Sequence, residues 1–436
     1  MTNTRDISTQ EQLNKLIEFR QQVYANGLEQ ARDAQFELID AILTSNHIRS
    51  FAELSLSPLH RRNWSSAYAA IENGQQNQDY LTLLFIHHLP RESVQVFALD
   101  ASKWVHADAE TLMGLVLGPT TNKRHIQPAH VYSMLAYIPQ ANDSWALPIR
   151  TERLQPDETE VELGVRQIEQ LCAGTAHDML QVIVLDGRYG NHIFLKGVQS
   201  LPCAVVVRLR RDRILCQEPV YGGCGRPPRH GKRFAFKDPE TWGMPDEEVT
   251  FEHPRHGTVR LRRWDHLHAK QDATVPFSVI RCETHLERKK PPDPVWIGYH
   301  GPKEKDVRTI WEWYNMRQPI EPAFRFRKQY LSWVRPQFQD SERCDRWTCL
   351  VDIAYWTVWL ARDLAQDRPL PWQKSLPKLT PGRILRGMAA LFTQIGTPAS
   401  APQTRGKSLG WPVGRRRTQP RRYEVVKRGK KRVKLA

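Results

Sequence analysis

Between residues 8 and 47 the apolar side chains recur three and four positions apart. Leu13, Leu16, Ile17, Phe19 and Val23, then Phe36, Leu38, Ile39, Ile42 and Leu43, trace amphipathic helices. A second helical stretch, FAELSLSPLHRRNWSSAYAAIENG, follows a short break. From about residue 81 the apolar runs shorten to strand length: LTLLFIHHL, VQVFALD and HVYSMLAYI, bounded by Pro, Asp and Asn. Residues 157–172 (DETEVELGVRQIEQLC) predict one helix with an acidic start, and MLQVIVLDG predicts another buried strand. CAVVVRLRR, RILCQEPVY, EVTFEHP, TVRLRRWDHLHAK, FSVIRCETH and VWIGYHG then alternate with Gly/Pro-rich loops. Helical spacing returns at 305–330 and 341–366, before proline-rich connectors (RPLPWQKSLPKLTPG, TPASAPQ). No internal repeat is visible. The pattern divides the chain into an N-terminal helical part (1–80), an α/β core in two pieces (81–200 and 300–370), a β-rich insertion (201–299), and a connector with tail (371–436).

Charge adds a partner to this picture. The 436 residues carry a net charge of +16, which calls for a polyanion. From Arg405 onward there are thirteen Lys/Arg against Glu424 alone, a net of +12, so the rest of the chain carries only +4. That tail, with GRRRTQPRRYEVVKRGKKRVK, has the composition of a non-specific phosphate grip and of a disordered end. The seven cysteines include no C-x-x-C pair. This argues against a disulfide framework and a zinc ribbon or finger, and for a reducing cytosol. The polar start MTNTRDISTQEQ has no apolar signal core, and no apolar run reaches bilayer length, so no membrane partner is expected.

Candidate chemistry lies at the ends of two strands. VQVFALD ends in Asp100 and QVIVLDG in Asp186. In α/β sheets the C-terminal strand edge is where ligands sit, although an aspartate there also serves turns and caps. A third carboxylate, Glu321, stands among cations in YNMRQPIEPAFRFRKQYL (314–331). Pro319 and Pro322 predict a helix break or start near this point. Downstream of it, Glu321 and Lys328 share a helix face about 10 Å apart, so Lys328 suits a neighbouring phosphate rather than a metal. Arg317 can clamp a phosphate bidentately, and Tyr314 offers a ring and a hydroxyl. Three convergent carboxylates repel unless divalent cations neutralise them, and hard Mg²⁺ suits both carboxylate and phosphate oxygens.

The spacing Tyr-x2-Arg-x3-Glu-x6-Lys, met by Tyr314, Arg317, Glu321 and Lys328, resembles the signature of one large group of bacterial insertion-sequence transposases, DDE enzymes. YGGCGRPPRHGKRFAFKDPETW, RWTCLVDIAYWTVWLARDLA and IGTPASAPQTRGKSLGWPVGRRR look similar to the same group, and the resemblance covers nearly the whole chain. It implies an α/β fold, a ribonuclease-H-like catalytic core interrupted by an all-β insertion, with an N-terminal helical domain that binds DNA and a basic C-terminal tail. It implies Asp100, Asp186 and Glu321 as catalytic metal ligands, Asp100 bridging two ions. It implies Mg²⁺, or Mn²⁺ in its place, and no nucleotide. The activity would be cleavage of DNA at the element's ends and joining of the freed 3′-hydroxyl to target DNA. Double-stranded DNA would be the partner, with a homodimer bridging two ends, in a bacterial cytoplasm at the nucleoid. Ala101-Ser102 and Gly187-Arg188-Tyr189 depart from the group's usual residues after the two aspartates.

Weaker signals complete the expectations. GRPPRHGKR (225–233), with Arg226, Arg229, Lys232 and Arg233, is an arm for a DNA groove or a plain basic loop. HRRNW is a DNA contact or a solvated corner. Trp296, in PVWIGYHG, is the candidate for the base-stacking tryptophan that the resemblance implies; Trp242 and Trp264 are also in the insertion, and core packing is the alternative for all three. Trp347, Trp356 and Trp359 fall at helical spacing and predict packing. His87-His88 and His266/His268 show no matching ligand set in the sequence. RGKS is no P-loop, because Ala401 stands where the earlier glycine belongs.

Overall fold

A computed structural model describes residues 2–45, 48–119, 126–140, 144–175, 179–286, 292–302 and 305–404, with 414, 419 and 421–425. Most of the basic tail therefore lies outside the described residues.

The centre is a sheet of twelve strands. Five form one half of it: β1 (Val94–Val105), β2 (Ile126–Tyr137), β3 (Leu147–Arg153), β4 (Leu180–Leu185) and β5 (Cys203–Leu209), in the spatial order β3-β2-β1-β4-β5. β2 runs antiparallel to β1 and β3, and also pairs with the short strand Val116–Pro119. β4 runs parallel to β1, and β5 parallel to β4. From Val182 to Leu185 β4 is a continuous apolar run because it is covered on both faces. The crossover into it is α5 (Glu160–Gly174), whose start is fixed by a capping box between Thr159 and Glu162. The result is a mixed α/β architecture consistent with the ribonuclease-H-like fold implied by the sequence.

The other strands continue the same sheet. β6 (Ile214–Cys216), β7 (Arg233–Ala235), β8 (Glu247–His253), β9 (Gly257–Ala269), β10 (Asp272–His285) and β11 (Val295–His300) are antiparallel, with β11 hydrogen-bonded to β5. The β-rich stretch from residue 201 therefore begins inside that first half of the sheet, at β5.

Three expectations are corrected. LTLLFIHHL is helix, not strand: α4 (Gln78–His87) is capped by the Asn77 side chain, which accepts from the Tyr80 amide, and it buries Leu81, Leu84 and Phe85 along one face. An apolar run of that length suits either state, and the cap decides it. β1 does not end at Asp100 but continues to Val105, because β2 keeps pairing with it past the end of β4. Part of the connector after residue 371 is helical: α10 (Pro381–Ile395) starts with proline in its first turn and stops at Gly396, whose φ of 63° leaves the helix.

The N-terminal helices α1 (Thr2–Gln22), α2 (Arg32–Thr44), α3 (Trp64–Asn73) and α4 pack around α9 (Ser341–Leu360). From Trp347 to Leu360 α9 is buried on every side because helices cover one side and β3 the other. Phe85 stacks on Trp356 at 5.2 Å between ring centroids. Arg20 and Asp40 form a buried pair at 2.6 Å, and Arg20 also donates to the Gly396 carbonyl behind α10. Arg61 and Arg62 of HRRNW turn to Asp33 and Glu37 of α2 and to the carbonyls of Ala399 and Ser400. Among the described residues no helix is long and apolar enough to cross a membrane.

Candidate active site: a carboxylate cleft between two parallel strands

Register brings the two aspartates together. The parallel pairing of β1 and β4 ends at Leu99 opposite Leu185, so Asp100 and Asp186 are the next residues on adjacent strands. Asp186 opens a turn in which its Oδ1 accepts from the Arg188 amide at 2.9 Å. The rest of Gly187-Arg188-Tyr189 supports that turn. Arg188 pairs with Glu160 at 2.9 Å, and Tyr189 is fully buried. Gly190 passes so close to β5 that a Cβ there would lie 2.5 Å from the Arg208 carbonyl oxygen.

Glu321 arrives from the other side of the sequence. α7 (Val307–Asn315) ends before the turn Met316–Pro319, and α8 (Ile320–Gln329) begins with Glu321 in its first turn, where a helix N-terminus favours a carboxylate. Pro322 is tolerated there because first-turn amides have no helical partner. Arg317, in the break, joins the acids. Its Nη2 donates to Asp100 Oδ2 at 2.8 Å, and its Nη1 lies 3.9 Å from Glu321 Oε1. Its Nε is buried with no hydrogen-bond partner. Asp186, Glu321 and Arg317 line one cleft of about 480 Å³ together with Arg208, Arg210 and Arg211 of β5 and the residues after it. Tyr314 is half-buried beside it. Burial pushes its hydroxyl up, while Arg208 and Arg317 act against that shift.

The electrostatics suit a divalent cation. Burial pushes the Asp100 carboxyl above its usual range; Arg317 opposes the shift and Asp186 adds to it. The donors are all carboxylate oxygens, the set a hard ion takes. The positive charge of Arg317 already stands between Asp100 and Glu321, so this position favours a cation. The donor types of Asp100, Asp186 and Glu321 suit a divalent metal, but the oxygens of the three acids do not all lie within 4.8 Å of one another here, so Glu321 has to close in before all three could hold one ion.

The other candidates lie further out. Lys328 is half-buried on α8, its Nζ 5.9 Å from the Trp333 ring centre; burial, then Arg327, lowers its pKa. Arg226 and Arg229 are exposed on the loop between β6 and β7, with Lys232 and Arg233 at its end; Arg233 lies 3.6 Å from Asp238. Trp296 is 3% exposed and stacks on Phe236 at 4.1 Å, with Trp242 and Trp264 at 5.3 and 5.9 Å. It packs the insertion's core and presents no free face for a base. The tail's phosphate-grip residues fall largely outside the described residues. A larger cavity of about 740 Å³, lined by Leu83, Ile86, His87, Arg91 and Glu92, lies away from the carboxylates.

Sequence reasoning missed the arginines of RLRR (208–211) as site residues. Alternation in β5 was the available signal, since Arg208 and Arg210 share a face. It also missed β3, whose ALPIRTER run contains a proline and three charges.

Comparisons with known proteins bear on the family and not on the roles of the site residues or on the substrate. None of the curated proteins matches the sequence. Among solved structures, the C-terminal lobe of a budding yeast Argonaute is similar with a TM-score of 0.22 and 10% identity, covering 77% of this chain and 61% of that one, too slight a likeness to inform the fold. The family model described as DDE superfamily endonuclease matches residues 23–270, more than half of the chain and a span that includes Asp100 and Asp186, so the chain belongs to the DDE superfamily endonucleases.

Proposed function

We propose that the chain is a DNA transposase that cleaves phosphodiesters at the ends of its insertion element and joins them to target DNA by two-metal-ion phosphoryl transfer. One observation carries this reading: the β1–β4 register sets Asp100 beside Asp186, and Glu321 opens into the same arginine-lined cleft. A divalent pair held by Asp100, Asp186 and Glu321, Mg²⁺ by preference with Mn²⁺ as substitute, would activate the attacking oxygen and stabilise the leaving one.

The chain's own groups supply the rest. Arg317 has an unpartnered buried Nε and sits between two of the acids, so it can hold the scissile phosphate as those acids turn to metal. The Tyr314 hydroxyl stays protonated at neutral pH and can donate to a phosphate oxygen. Arg208, Arg210 and Arg211 give the DNA backbone a basic wall. Lys328, two turns along α8, reaches a neighbouring phosphate. Arg226, Arg229, Lys232 and Arg233 hold flanking duplex. Two ends must meet, so the working unit is a homodimer on DNA, in a bacterial cytoplasm at the nucleoid.

The test is cleavage of a labelled duplex carrying the element's own ends, with Mg²⁺ or Mn²⁺, for wild type and Glu321→Gln. End-specific nicking by wild type alone, followed by a joined product with target DNA, supports the proposal. Nicking without any joined product leaves a nuclease of the same fold. DNA binding without nicking by either protein leaves a DNA-binding derivative. Equal nicking by both removes Glu321 from the site.

A further inference from the structure

Cys216, the last residue of β6, lies opposite His268 in the antiparallel register with β9. His230, near the far end of the loop from β6 to β7, folds back onto them. Its Nδ1 lies 3.0 Å from His268 Nε2, with the rings stacked at 5.3 Å between centroids. Cys216 Sγ and one nitrogen of each histidine all lie within 4.8 Å of one another. Cys216 and His268 are buried and His230 is half-buried, so a small ion can enter from the loop side.

The chemistry is that of a soft cation site. Two imidazole nitrogens on a tetrahedral zinc stand about 3.3 Å apart, given zinc–nitrogen bonds of about 2.0–2.1 Å. The observed pair is close to that spacing. A cysteine thiolate beside two imidazoles selects zinc over magnesium. Glu218 lies two residues after Cys216 with its side chain 61% exposed and its Oε1 3.2 Å from His266 Nδ1, a contact it would leave to take a fourth position.

The placement gives such a site a task. The loop 217–232 has no regular structure, and its residues from Glu218 to Arg229 are all exposed. Unstructured loops of this length are uncommon in compact domains unless functional. Its base is closed by two backbone bonds, Gln217 N–H to the Lys232 carbonyl and Gly231 N–H to the Gln217 carbonyl, each 2.9 Å. A Cβ at Gly231 would collide with the Glu218 carbonyl, so the closure needs glycine.

We propose that Cys216, His230 and His268 bind a structural zinc ion that clasps the base of the 217–232 loop and fixes the direction in which Arg226 and Arg229 project. The assignment does not depend on what the carboxylate cleft does. Binding releases the Cys216 thiol proton to solvent.

The experiment measures zinc by mass spectrometry in the full-length purified protein after exhaustive buffer exchange, and Co²⁺ absorption after replacement. One zinc per chain is expected, with a thiolate-to-cobalt charge-transfer band, and it is retained in Asp100→Asn/Asp186→Asn. Cys216→Ser and His230→Gln should each lose the metal; His230 is half-buried in the loop, so its variant guards against misfolding in the other. A second readout is trypsin cleavage after Arg229, since Pro227 protects the bond after Arg226. With zinc at about 100 times its Kd, loop opening and thus cleavage should fall about 100-fold relative to chelated protein. Absence of stoichiometric zinc, its retention in both loop-site variants, or its loss from Cys344→Ser instead, which would place it among His106, His130 and Cys344, overturns the proposal.

Discussion

Asp352→Ala tests how α8, and with it Glu321 and Lys328, is held in place. Arg327 of α8 is fully buried. Its Nη2 lies 2.5 Å from Asp352 Oδ1 on α9, its Nη1 donates to Met134 Sδ on β2 at 3.0 Å, and its guanidinium lies 4.4 Å from the Trp333 ring centre. Burial pushes the Asp352 carboxyl up and the Arg327 guanidinium down, and the attraction between them opposes both shifts. At this separation the gross attraction is about 7 kcal/mol for an effective dielectric of about 20, and two desolvation penalties cancel much of it. Removing one partner is a different matter. It leaves a buried charge alone, at a cost of about 3–5 kcal/mol. Unfolding entropy of about 2.1 cal/mol/K per residue gives about 0.9 kcal/mol/K for cooperative unfolding of this chain, so the melting temperature should fall by about 3–5 °C. The double variant Arg327→Met/Asp352→Leu replaces the pair with apolar volume and should recover most of the loss. Thermal melts followed by circular dichroism measure both. A fall of less than about 1 °C for Asp352→Ala, or a double variant that melts as low as the single one, would refute the reasoning.

Two further predictions concern pH and salt. His106 and His130 are buried and neutral, with pKa values lowered by burial to about 3 and about 4. The unfolded chain takes up these protons near pH 6.5 and the fold does not, so their contribution declines as pH falls below 6.5. Each contributes up to about 1.4 kcal/mol per pH unit, or about 4 kcal/mol for both by pH 5. The gap in melting temperature between His130→Gln and wild type should therefore narrow as pH falls from 7 to 5, and a constant gap would sink the idea. On the proposed DNA reading, each arginine that neutralises a phosphate adds about 0.9 to the steepness of log binding constant against log salt, so Arg208→Gln/Arg210→Gln should make that slope shallower by about 1.8. An unchanged slope in a filter-binding titration would remove those arginines from the DNA path.

How much of this was legible in the sequence differs by element, and the reason is physical. β4 could be read directly, because a strand buried on both faces is dominated by apolar residues, as Val182 to Leu185 are here. α5 could be read from Thr159 and Glu162, because caps act locally. The break before α8 followed from Pro319. α4 could not be read from its apolar run, since LTLLFI fits a strand and a buried helix equally; its identity rests on one cap and on helices packed against it from elsewhere. β3 was hidden by Pro148 and by charges that the fold neutralises at a distance: Arg150 with Asp79 and Glu152, and Arg153 with Asp345. Trp296 shows the same limit from the other side. An aromatic at the right place in the chain carries no mark of whether its face is open, and four aromatic neighbours close this one.

The cleft brings these strands of argument together, because its acids differ in what surrounds them. The Asp100 carboxylate is 16% exposed, Asp186 25% and Glu321 70%. Asp100 is fixed by the sheet, by its bond to Arg317 and by the Ala101 amide at 2.8 Å. Asp186 is fixed by its own turn. Glu321 is set only by the first turn of α8 and a 3.9 Å approach to Arg317. On the proposed reading, two rigid acids on adjacent strands and one adjustable acid on a helix would suit a reaction in which phosphate oxygens enter and leave a metal's coordination sphere. The rigid pair would define where charge accumulates, and the adjustable acid would follow the substrate. Arg317 bridges the two kinds, which explains why a cation had to stand four residues before Glu321 in a stretch already crowded with positive charge.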